Sequence, residues 1–376
     1  MELNGHNDER FACVRDQLCN NLESGEELGA AVAVDIDGEL VVDLWGGYRD
    51  TARTLPWEED TIVNVWSTTK EITALAVLML VERDLIDLDT PVAKYWPEFG
   101  QAGKEAIEVR HVMAHTAGVS GWEQPFALAD MYDWEKAVSR LAGQAPWWEP
   151  GTASGYHALN FGHLLGEIVR RVSGNTLEQF VATEIAEPLG VDLQIGATAK
   201  DDDRIAEIVP PPPFELGPAP AEVTLKSLAG LDAAAANTIE WRRADMGAVN
   251  GHTNARALAR TMSAISRGGQ VGEVRLLSME TIDRIFEEQA HGEDLVLGIP
   301  LRWGIGFGLP EPTTVPYLPT NEKVCYWGGW GGSMTVMFPE RRMTLSYVMN
   351  RMGPGVVGSD RSEAYIRAIL HGMSRS

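Results

Sequence analysis

The most prominent hydrophobic segment of the chain covers residues 72–81, and Thr73 is its only polar residue. A helix that is apolar on every side has no face for solvent, so such a helix belongs inside a large core. The segment therefore predicts a buried helix, which we place over residues 63–83. Ser67 and Lys70 lie near its beginning.

Segments closer to the N-terminus predict one further helix and one hairpin. Residues 8–24 place apolar side chains at helical spacing, which is typical of an amphipathic helix. Two apolar stretches, 30–36 and 39–45, are separated by Asp37-Gly38. Because Asp-Gly suits the positive φ angles of a two-residue turn, we expect these stretches to form a β-hairpin.

The rest of the chain indicates where the sheet and the helices lie. Residues 107–195 show helical periods, whereas residues 333–338 and 343–349 have the pattern of strands. Helices are expected over 254–267 and 361–373. Strands thus gather at both chain ends, which predicts an α/β (α+β) fold, with an antiparallel sheet flanked by helices and a mainly helical insertion.

This arrangement predicts two interleaved domains, which the length of 376 residues permits. Residues 1–88 and 250–376 would form the sheet domain, and residues 89–249 the helical insertion. A proline-rich stretch, 209–220, contains four successive prolines that favour polyproline II, so we expect a long surface loop. Such a loop either borders an active site or only connects two elements.

Composition and charge exclude several classes of partner. Of the residues, 44% are hydrophobic and 23% are charged, as in ordinary globular proteins, and no apolar run is long enough to span a bilayer. The formal net charge of −23 repels phosphate backbones and acidic lipids, so we expect neither nucleic acid nor membrane as a partner. The first ten residues lack the features of a secretory signal, and the three cysteines lack metal-binding spacing. We therefore predict reduced thiols and a cytoplasmic location.

Ser67 and Lys70 are the first candidates for chemistry, because a spacing of i and i+3 places both side chains on one face of a helix. A serine hydroxyl needs a nearby base to become a nucleophile, and burial lowers a lysine pKa so that the amine can join the proton transfer. Backbone N–H groups at a helix start also stabilise a developing oxyanion. Taken alone, the pair also fits an N-cap serine followed by a solvated lysine.

Tyr156 is the second candidate. It lies between a loop with two glycines, residues 150–155, and a predicted helix over residues 161–172. Beside a lysine cation, a phenol can be drawn toward tyrosinate and serve as a general base. A tyrosine at such a junction can also simply fill the core.

The glycine-rich segment 327–333 is the third candidate. Glycines next to a strand allow a substrate to approach the backbone of a sheet edge closely. The backbone N–H of Trp330 is therefore a candidate second oxyanion donor, opposite that of Ser67. A glycine-rich turn with a buried tryptophan fits the same residues.

In combination, the three motifs resemble the serine β-lactamase and penicillin-binding-protein-like superfamily, and in particular class C β-lactamases and family VIII carboxylesterases. Four further stretches resemble family segments, so the similarity extends over nearly the whole chain. These stretches are 84–97, 111–119, 251–260 and 347–352.

The resemblance implies a β-lactamase/transpeptidase-like fold and a set of roles. Ser67 would be the nucleophile, Lys70 its helical partner, and Tyr156 the base that also returns a proton to the leaving group. The backbone N–H groups of Ser67 and Trp330 would form the oxyanion hole.

Two departures from the class C pattern bear on the substrate. That pattern has Tyr-x-Asn where this chain has Tyr156-His157-Ala158, and Lys-Thr-Gly where it has Trp327-Gly328-Gly329. The absent lysine removes a cation that would pair with a substrate carboxylate, and such a charge-assisted contact is stronger than a neutral hydrogen bond. We therefore expect a serine hydrolase that cleaves neutral, fairly hydrophobic carboxylic esters through an acyl-enzyme, without metal or organic cofactor.

Other activities on the same scaffold stay open, namely acyl transfer to an alcohol or amine and hydrolysis of β-lactams or peptide amides. The sequence does not determine the oligomeric state. His111 and His115 have the i, i+4 spacing of zinc proteases, but the glutamate of that motif is absent, so we expect them to be structural. The candidate substrate-binding residues are Trp66, His157, Trp327, Gly328 and Gly329.

Overall fold

The computed structural model describes residues 3–212 and 221–374, so most of the predicted proline-rich loop lies outside the described residues. The strands are β1 (Leu3–Asn7), β2 (Gly29–Ile36), β3 (Glu39–Gly47), β4 (Val63–Asn64), β5 (Leu193–Ile195), β6 (Gly251–Thr253), β7 (Gln270–Val271), β8 (Val274–Arg275), β9 (Ala290–Glu293), β10 (Pro300–Trp303), β11 (Gly308–Leu309), β12 (Cys325–Gly328), β13 (Met334–Phe338) and β14 (Met343–Met349). The α-helices are α1 (Ala12–Ser24), α2 (Thr69–Glu82), α3 (Val109–Met113), α4 (Trp134–Gly143), α5 (Phe161–Ser173), α6 (Leu177–Phe180), α7 (Glu187–Leu189), α8 (Glu222–Ser227), α9 (Ile239–Arg243), α10 (Ala255–Ser266), α11 (Met279–Ile285) and α12 (Asp360–Met373).

Among the described residues, nine strands form one antiparallel sheet in the order β1-β3-β2-β14-β13-β12-β11-β10-β9. The central strands β2 and β14 are buried along almost their whole length. Near-continuous burial, rather than alternation, means that both faces of the sheet are covered. The predicted fold class, an antiparallel sheet flanked by helices and built from both ends of the chain, is confirmed.

The predicted hairpin is strands β2 and β3. Asp37 and Gly38 have φ angles of 54° and 93°, as the two central residues of a type I′ turn require. The Asp35 carboxylate accepts a hydrogen bond from the Gly38 N–H over 3.0 Å and closes the turn. The sequence pattern therefore predicted both the strands and the residues that join them.

The predicted central helix begins later than expected. Residues 63–64 are strand β4, which pairs with β6 in a three-stranded sheet of order β4-β6-β5. Trp66 then adopts a positive φ of 49°, which is incompatible with a right-handed helix, so the helix cannot include Trp66, and α2 begins at Thr69. From Thr69 to Leu80 every residue of α2 is buried, as the apolar run predicted.

The segment between β4 and β6 is mainly helical and contributes strand β5 to the small sheet. Helix α5 packs against α2. This packing brings the loop that precedes α5, which contains Tyr156, next to the first turn of α2. The two domain boundaries inferred from the sequence stay a prediction.

The terminal segments pack on each other and on the sheet. Helices α1 and α12 contact one another, and α10 packs on strands β2 and β14. The glycine-rich segment 327–333 was expected at a sheet edge, but its first residues belong to β12, which lies inside the sheet between β11 and β13. Strand β11 pairs with it only at Tyr326, however, so Trp327 and Gly328 pair on the β13 side.

No helix among the described residues combines the length and the apolar character needed to cross a membrane.

Candidate active site

Ser67 lies in the short connection between strand β4 and helix α2, directly after the positive-φ residue Trp66. Strained backbone of this kind is frequent at functional sites. Two hydroxyls fasten the connection. Thr69 Oγ1 donates to Trp66 O over 2.5 Å, and Ser333 Oγ donates to Val65 O over 2.9 Å. The nucleophile candidate is therefore held from both the helix side and the sheet side.

Lys70 lies in the first turn of α2, and 1% of its surface is exposed. Its Nζ is 3.0 Å from Ser67 Oγ, 2.8 Å from Ala158 O and 2.9 Å from Ala248 O. Neither carbonyl belongs to α2. The predicted pairing of Ser67 with Lys70 is therefore present, and two distant segments orient the amine.

Burial lowers the pKa of Lys70 well below its usual value of 10.5. Within the part of the chain that the structure describes, no carboxylate forms an ion pair with it. In its neutral form the amine has two N–H groups, which match the carbonyls of Ala158 and Ala248. Its lone pair is then directed to the Ser67 hydroxyl, so the geometry fits a base rather than a counter-ion.

Tyr156 is also buried, and its ring centre lies 4.7 Å from Lys70 Nζ. Its hydroxyl accepts a hydrogen bond from Trp327 Nε1 over 2.9 Å. Burial raises the pKa of Tyr156, and its hydrogen bonds with Ser67 and Trp327 offset this only in part. Burial therefore favours the neutral phenol over the tyrosinate, and the role of Tyr156 as the base stays a prediction.

Asp294 holds the backbone of Tyr156 and was missed by the sequence analysis. Its Oδ1 accepts hydrogen bonds from the N–H groups of Tyr156, Val296 and Leu297 over 3.0, 3.0 and 3.1 Å. Leu295 N–H in turn donates to Ser154 O over 2.9 Å. A single aspartate directly after a short strand carries no motif, so only the fold reveals its contact with the tyrosine loop.

The backbone N–H groups of Ser67 and Trp330 are both available for a ligand. Among the residues that the structure describes, neither group donates a hydrogen bond to another protein atom. Both residues line the same pocket. Two unpaired N–H groups at one pocket are the arrangement that an oxyanion requires. The assignment of an oxyanion hole stays a prediction that this arrangement supports.

The pocket in front of Ser67 is narrow, with a cavity volume of about 30 Å³. Apart from Ser67 and Tyr156, its lining is apolar and comes from seven separate parts of the chain. The lining residues are Trp66, Ser67, Tyr156, Ala158, Leu159, Leu228, Leu231, Val249, Leu297, Trp330 and Val356. Most of these aliphatic residues could not be found from the sequence, because they belong to no motif and converge only in the fold.

The predicted substrate-binding residues have different surroundings. Trp66 lines the pocket, whereas Trp327 is buried behind Tyr156 and packs 4.5 Å from the ring of Trp303. A Cβ on Gly329 would lie 2.3 Å from Val65 O, so this glycine allows the end of β12 to approach the Ser67 loop. Gly328 pairs with Met334 of β13.

His157 is fully buried beside Tyr156. Burial lowers its pKa to about 3, so the imidazole is neutral. Its Nδ1 hydrogen-bonds to Gly155 O over 2.8 Å, and its backbone N–H donates to His115 Nδ1 over 3.1 Å. His157 thus stabilises the tyrosine loop, and the roles of His157, Trp327, Gly328 and Gly329 toward a substrate stay predictions.

His111 and His115 do not share a ligand position. The Nδ1 of His111 accepts the Glu108 N–H over 3.1 Å at the start of α3, and the Nδ1 of His115 accepts the His157 N–H. Each imidazole therefore has a partner inside the protein that is consistent with the structural role predicted for it.

The structure brings Ser67, Lys70 and Tyr156 together, with Ser67 and Tyr156 lining one largely apolar pocket. Comparison with known proteins identifies the family. The family model Beta-lactamase matches residues 14–368, and the chain belongs to this family. The resemblance drawn from the motifs is thereby confirmed.

Individual relatives indicate which kinds of protein within this family the chain is similar to. The chain is 34% identical over 375 residues to the esterase/beta-lactamase LipL of Mycobacterium tuberculosis, which covers 95% of this chain and 85% of the relative. Among solved structures, it matches a family VIII carboxylesterase with a TM-score of 0.93 and 37% identity, over 99% of this chain and 100% of the other. A penicillin-binding protein homologue from Caulobacter crescentus matches with the same TM-score, identity and coverage. The protein is therefore a serine hydrolase of this family.

Proposed function

We propose that this enzyme hydrolyses neutral, apolar carboxylic esters through an acyl-enzyme on Ser67. The observation that carries the proposal is the lining of the pocket, which is apolar apart from Ser67 and Tyr156 and, among the described residues, includes no charged side chain. The names of the esterase and carboxylesterase relatives agree with this substrate class.

Acylation begins with proton transfer from Ser67 to the neutral amine of Lys70. The serine oxygen forms a bond to the ester carbonyl carbon, and the carbonyl oxygen becomes an oxyanion between the N–H groups of Ser67 and Trp330. The carbon–oxygen bond to the alcohol then breaks. Tyr156 passes a proton to the departing alkoxide and regains one from Lys70, so the alcohol leaves neutral and the acyl group stays on Ser67.

Deacylation repeats these steps with water as the nucleophile. Lys70, neutral again, takes a proton from the water through Tyr156, and the hydroxide adds to the acyl carbon. The tetrahedral intermediate uses the same two N–H groups and collapses to the carboxylic acid, while Ser67 regains its proton. Neutral Lys70 is the base in both halves of the cycle.

Contacts at two positions favour esters over β-lactams. Trp327 occupies the position where the class C pattern has a lysine, and its N–H is engaged by Tyr156. Ala158 presents a methyl group to the pocket where that pattern has an amide. A substrate carboxylate would therefore enter an apolar pocket without a cation, which is costly. Because one relative is called an esterase/beta-lactamase, β-lactam hydrolysis is the second candidate.

The proposal is tested by incubating the purified enzyme with p-nitrophenyl esters of increasing acyl length, nitrocefin and a p-nitroanilide, followed by rapid acid quench and peptide mass analysis. We expect release of p-nitrophenol and an acyl adduct on the peptide that contains Ser67. Ser67→Ala should lose both, whereas Ser173→Ala, at the far end of α5, should lose neither.

An adduct on another residue, or activity retained by Ser67→Ala, would disprove the proposal. Preferential turnover of nitrocefin or the anilide would replace esters by amides as the substrate class. If added butanol is converted to its ester faster than the acid is formed, the enzyme is an acyltransferase.

A further inference from the structure

A buried ion pair lies behind the turn that contains Trp330. We infer that Arg361, held by Glu27, is a positioning residue that fixes the oxyanion turn, defined as residues 329–332, against residues 351–355. The inference rests on the proposed function, because it concerns the oxyanion hole of the same reaction. Neither residue belongs to a motif, and neither lines the pocket in front of Ser67.

Arg361 connects three backbone segments. Its Nη2 donates to Arg351 O over 2.8 Å and to Gly331 O over 3.4 Å, and its Nη1 donates to Glu26 O over 2.9 Å. Only 10% of the arginine side chain is exposed. Because the guanidinium is planar and rigid, these bonds fix the carbonyls relative to one another.

Glu27 determines the orientation of that guanidinium. Its Oε2 accepts a hydrogen bond from Arg361 Nη1 over 2.5 Å. Its Oε1 accepts from the Tyr347 hydroxyl over 2.5 Å and from the Tyr365 hydroxyl over 3.4 Å. The carboxylate is fully buried, so both of its oxygens are engaged inside the protein. A pair of this kind has one well-defined geometry.

The oxyanion turn packs tightly on the segment that Arg361 holds. Gly331 N–H donates to Gly355 O over 2.9 Å, and Gly353 N–H donates to Gly331 O over 2.8 Å. Gly331 has a φ of +96°, and a Cβ there would lie 2.6 Å from Met352 Cβ. The turn therefore cannot shift without moving residues 352–355, which Arg361 fastens through Arg351 O.

This connection affects both parts of the proposed reaction site. Trp330 supplies one N–H to the oxyanion, and Val356, directly after the fastened segment, lines the pocket. The oxyanion forms only in the transition state and the tetrahedral intermediate, so a displaced N–H weakens transition-state binding more than substrate binding. A displacement of about 1 Å in a catalytic group can cost about 100-fold in rate.

The decisive variant is Arg361→Gln, compared with the wild-type enzyme and with Arg367→Gln. Arg367 lies on the same helix and, among the described residues, forms an ion pair with the partly exposed Glu363 alone. For Arg361→Gln we expect kcat/KM for p-nitrophenyl butyrate to fall by about 10- to 100-fold, with KM changed less than about 2-fold. The inhibition constant of an aryl trifluoromethyl ketone, which mimics the oxyanion, should rise by the same factor as kcat/KM falls. Arg361→Lys should recover part of the loss, and Arg367→Gln should match the wild type.

Removal of the arginine leaves Glu27 buried without its cation, so the single variant can fail to fold. The double variant Glu27→Gln/Arg361→Gln removes both charges and should fold while it retains the loss in kcat. Titration of Ser67 with a p-nitrophenyl phosphonate shows whether a loss of activity comes from a positioning defect or from misfolding. A positioning defect gives one reactive Ser67 per chain that is labelled slowly, whereas misfolding gives fewer reactive sites.

Unchanged kcat/KM and unchanged ketone affinity in a folded Arg361 variant would overturn the inference. So would a loss that raises KM and leaves kcat intact, because the residue would then act on substrate binding. If the wild-type enzyme itself is not labelled at Ser67, the proposed function fails instead, and the two failures are therefore distinct.

Discussion

Trp327 donates its indole N–H to the Tyr156 hydroxyl over 2.9 Å. Because the phenol oxygen accepts that bond, its hydrogen is free to turn toward Ser67 or a leaving group. The residue found in place of the class C lysine therefore acts, in this chain, on the proposed proton relay rather than on the substrate.

Trp327→Phe tests that contact. Loss of the N–H donor should lower kcat for p-nitrophenyl butyrate by about 5- to 10-fold, as expected for one hydrogen bond of about 1 kcal/mol. The matched control is Trp303→Phe, because Trp303 stacks in the same aromatic cluster and its Nε1 has no hydrogen-bond partner among the described residues. Equal losses in the two variants would show that ring packing, and not the N–H, matters.

Lys70→Ala and Tyr156→Phe should be strongly non-additive, since both residues move the same protons. Each change should cost on the order of 10³-fold in kcat/KM, and the double variant should cost about as much as either alone. A double-mutant cycle on p-nitrophenyl butyrate, with melting temperatures as a check on folding, measures this. Multiplication of the two losses would separate the residues into independent functions.

The pH profile of kcat/KM should show whether Lys70 or Tyr156 acts as the base. Burial lowers the pKa of Lys70 and raises that of Tyr156. Of these two residues, Lys70 is therefore the one that burial makes easier to deprotonate. We expect kcat/KM to rise with pH as Lys70 loses its proton, at a pH well below 10.5. Tyr156→Phe should lower the plateau and leave the inflection in place. An inflection that disappears with the tyrosine would make the phenol the base.

Short-chain p-nitrophenyl esters should give a kcat/KM at least about 100-fold above that of nitrocefin. A charge-assisted contact of roughly 1.5–3 kcal/mol corresponds to about 10- to 150-fold, and the class C amide is absent as well. Parallel steady-state assays of the unmodified enzyme, with a class C β-lactamase as the positive control for nitrocefin, give the ratio. Comparable efficiencies would mean that the carboxylate is held by another group.

Asp245→Asn should change how stability depends on pH. Burial raises the pKa of Asp245 from its usual 3.8 to about 7, although the Glu178 N–H donates to it over 3.1 Å. Between these two pKa values the folded state holds a proton that the unfolded state has lost, so this residue makes the protein less stable as pH rises. Asp245→Asn has no titratable group at this position, so this contribution to the fall in stability is absent from the variant.

Denaturant unfolding at pH 5 and pH 8 measures the effect. Relative to the wild type, the unfolding free energy of Asp245→Asn should gain about 2–3 kcal/mol between these pH values. Because only the difference between the two proteins is used, titration of other buried groups cancels. Parallel pH dependences would show that Asp245 titrates normally in the folded protein.

The fold was predictable wherever a single segment carries its own pattern. The apolar run of α2 and the Asp37-Gly38 turn determine their elements through local chemistry alone. The start of α2 was placed too early because the pairing of β4 with β6 joins residues as far as 190 positions apart, namely Val63 and Thr253. Strand β12 was hard to predict because of its own sequence: it is short and ends in glycine, so it carries little strand pattern.

In the candidate site, too, the residues with a local motif were predictable and those that meet only in the fold were not. Ser67, Lys70 and Tyr156 were found because their spacing and neighbours form motifs. The two carbonyls that orient Lys70, and the carboxylate that holds Tyr156, come from residues with no distinguishing neighbours. The direction of proton transfer also required the structure, because it depends on burial, which a motif does not give.

The pairing of β2 with β14 has a consequence for synthesis of the protein. Ile36 pairs with Met343, which is translated about 300 residues later. At roughly 5–20 residues per second, the β2–β3 hairpin leaves the ribosome about 15–60 s before its partner strand exists. During that interval its open edge is a template for intermolecular pairing. The yield of this protein in a foreign host is therefore expected to depend on co-translational chaperones more than on the stability of the finished fold.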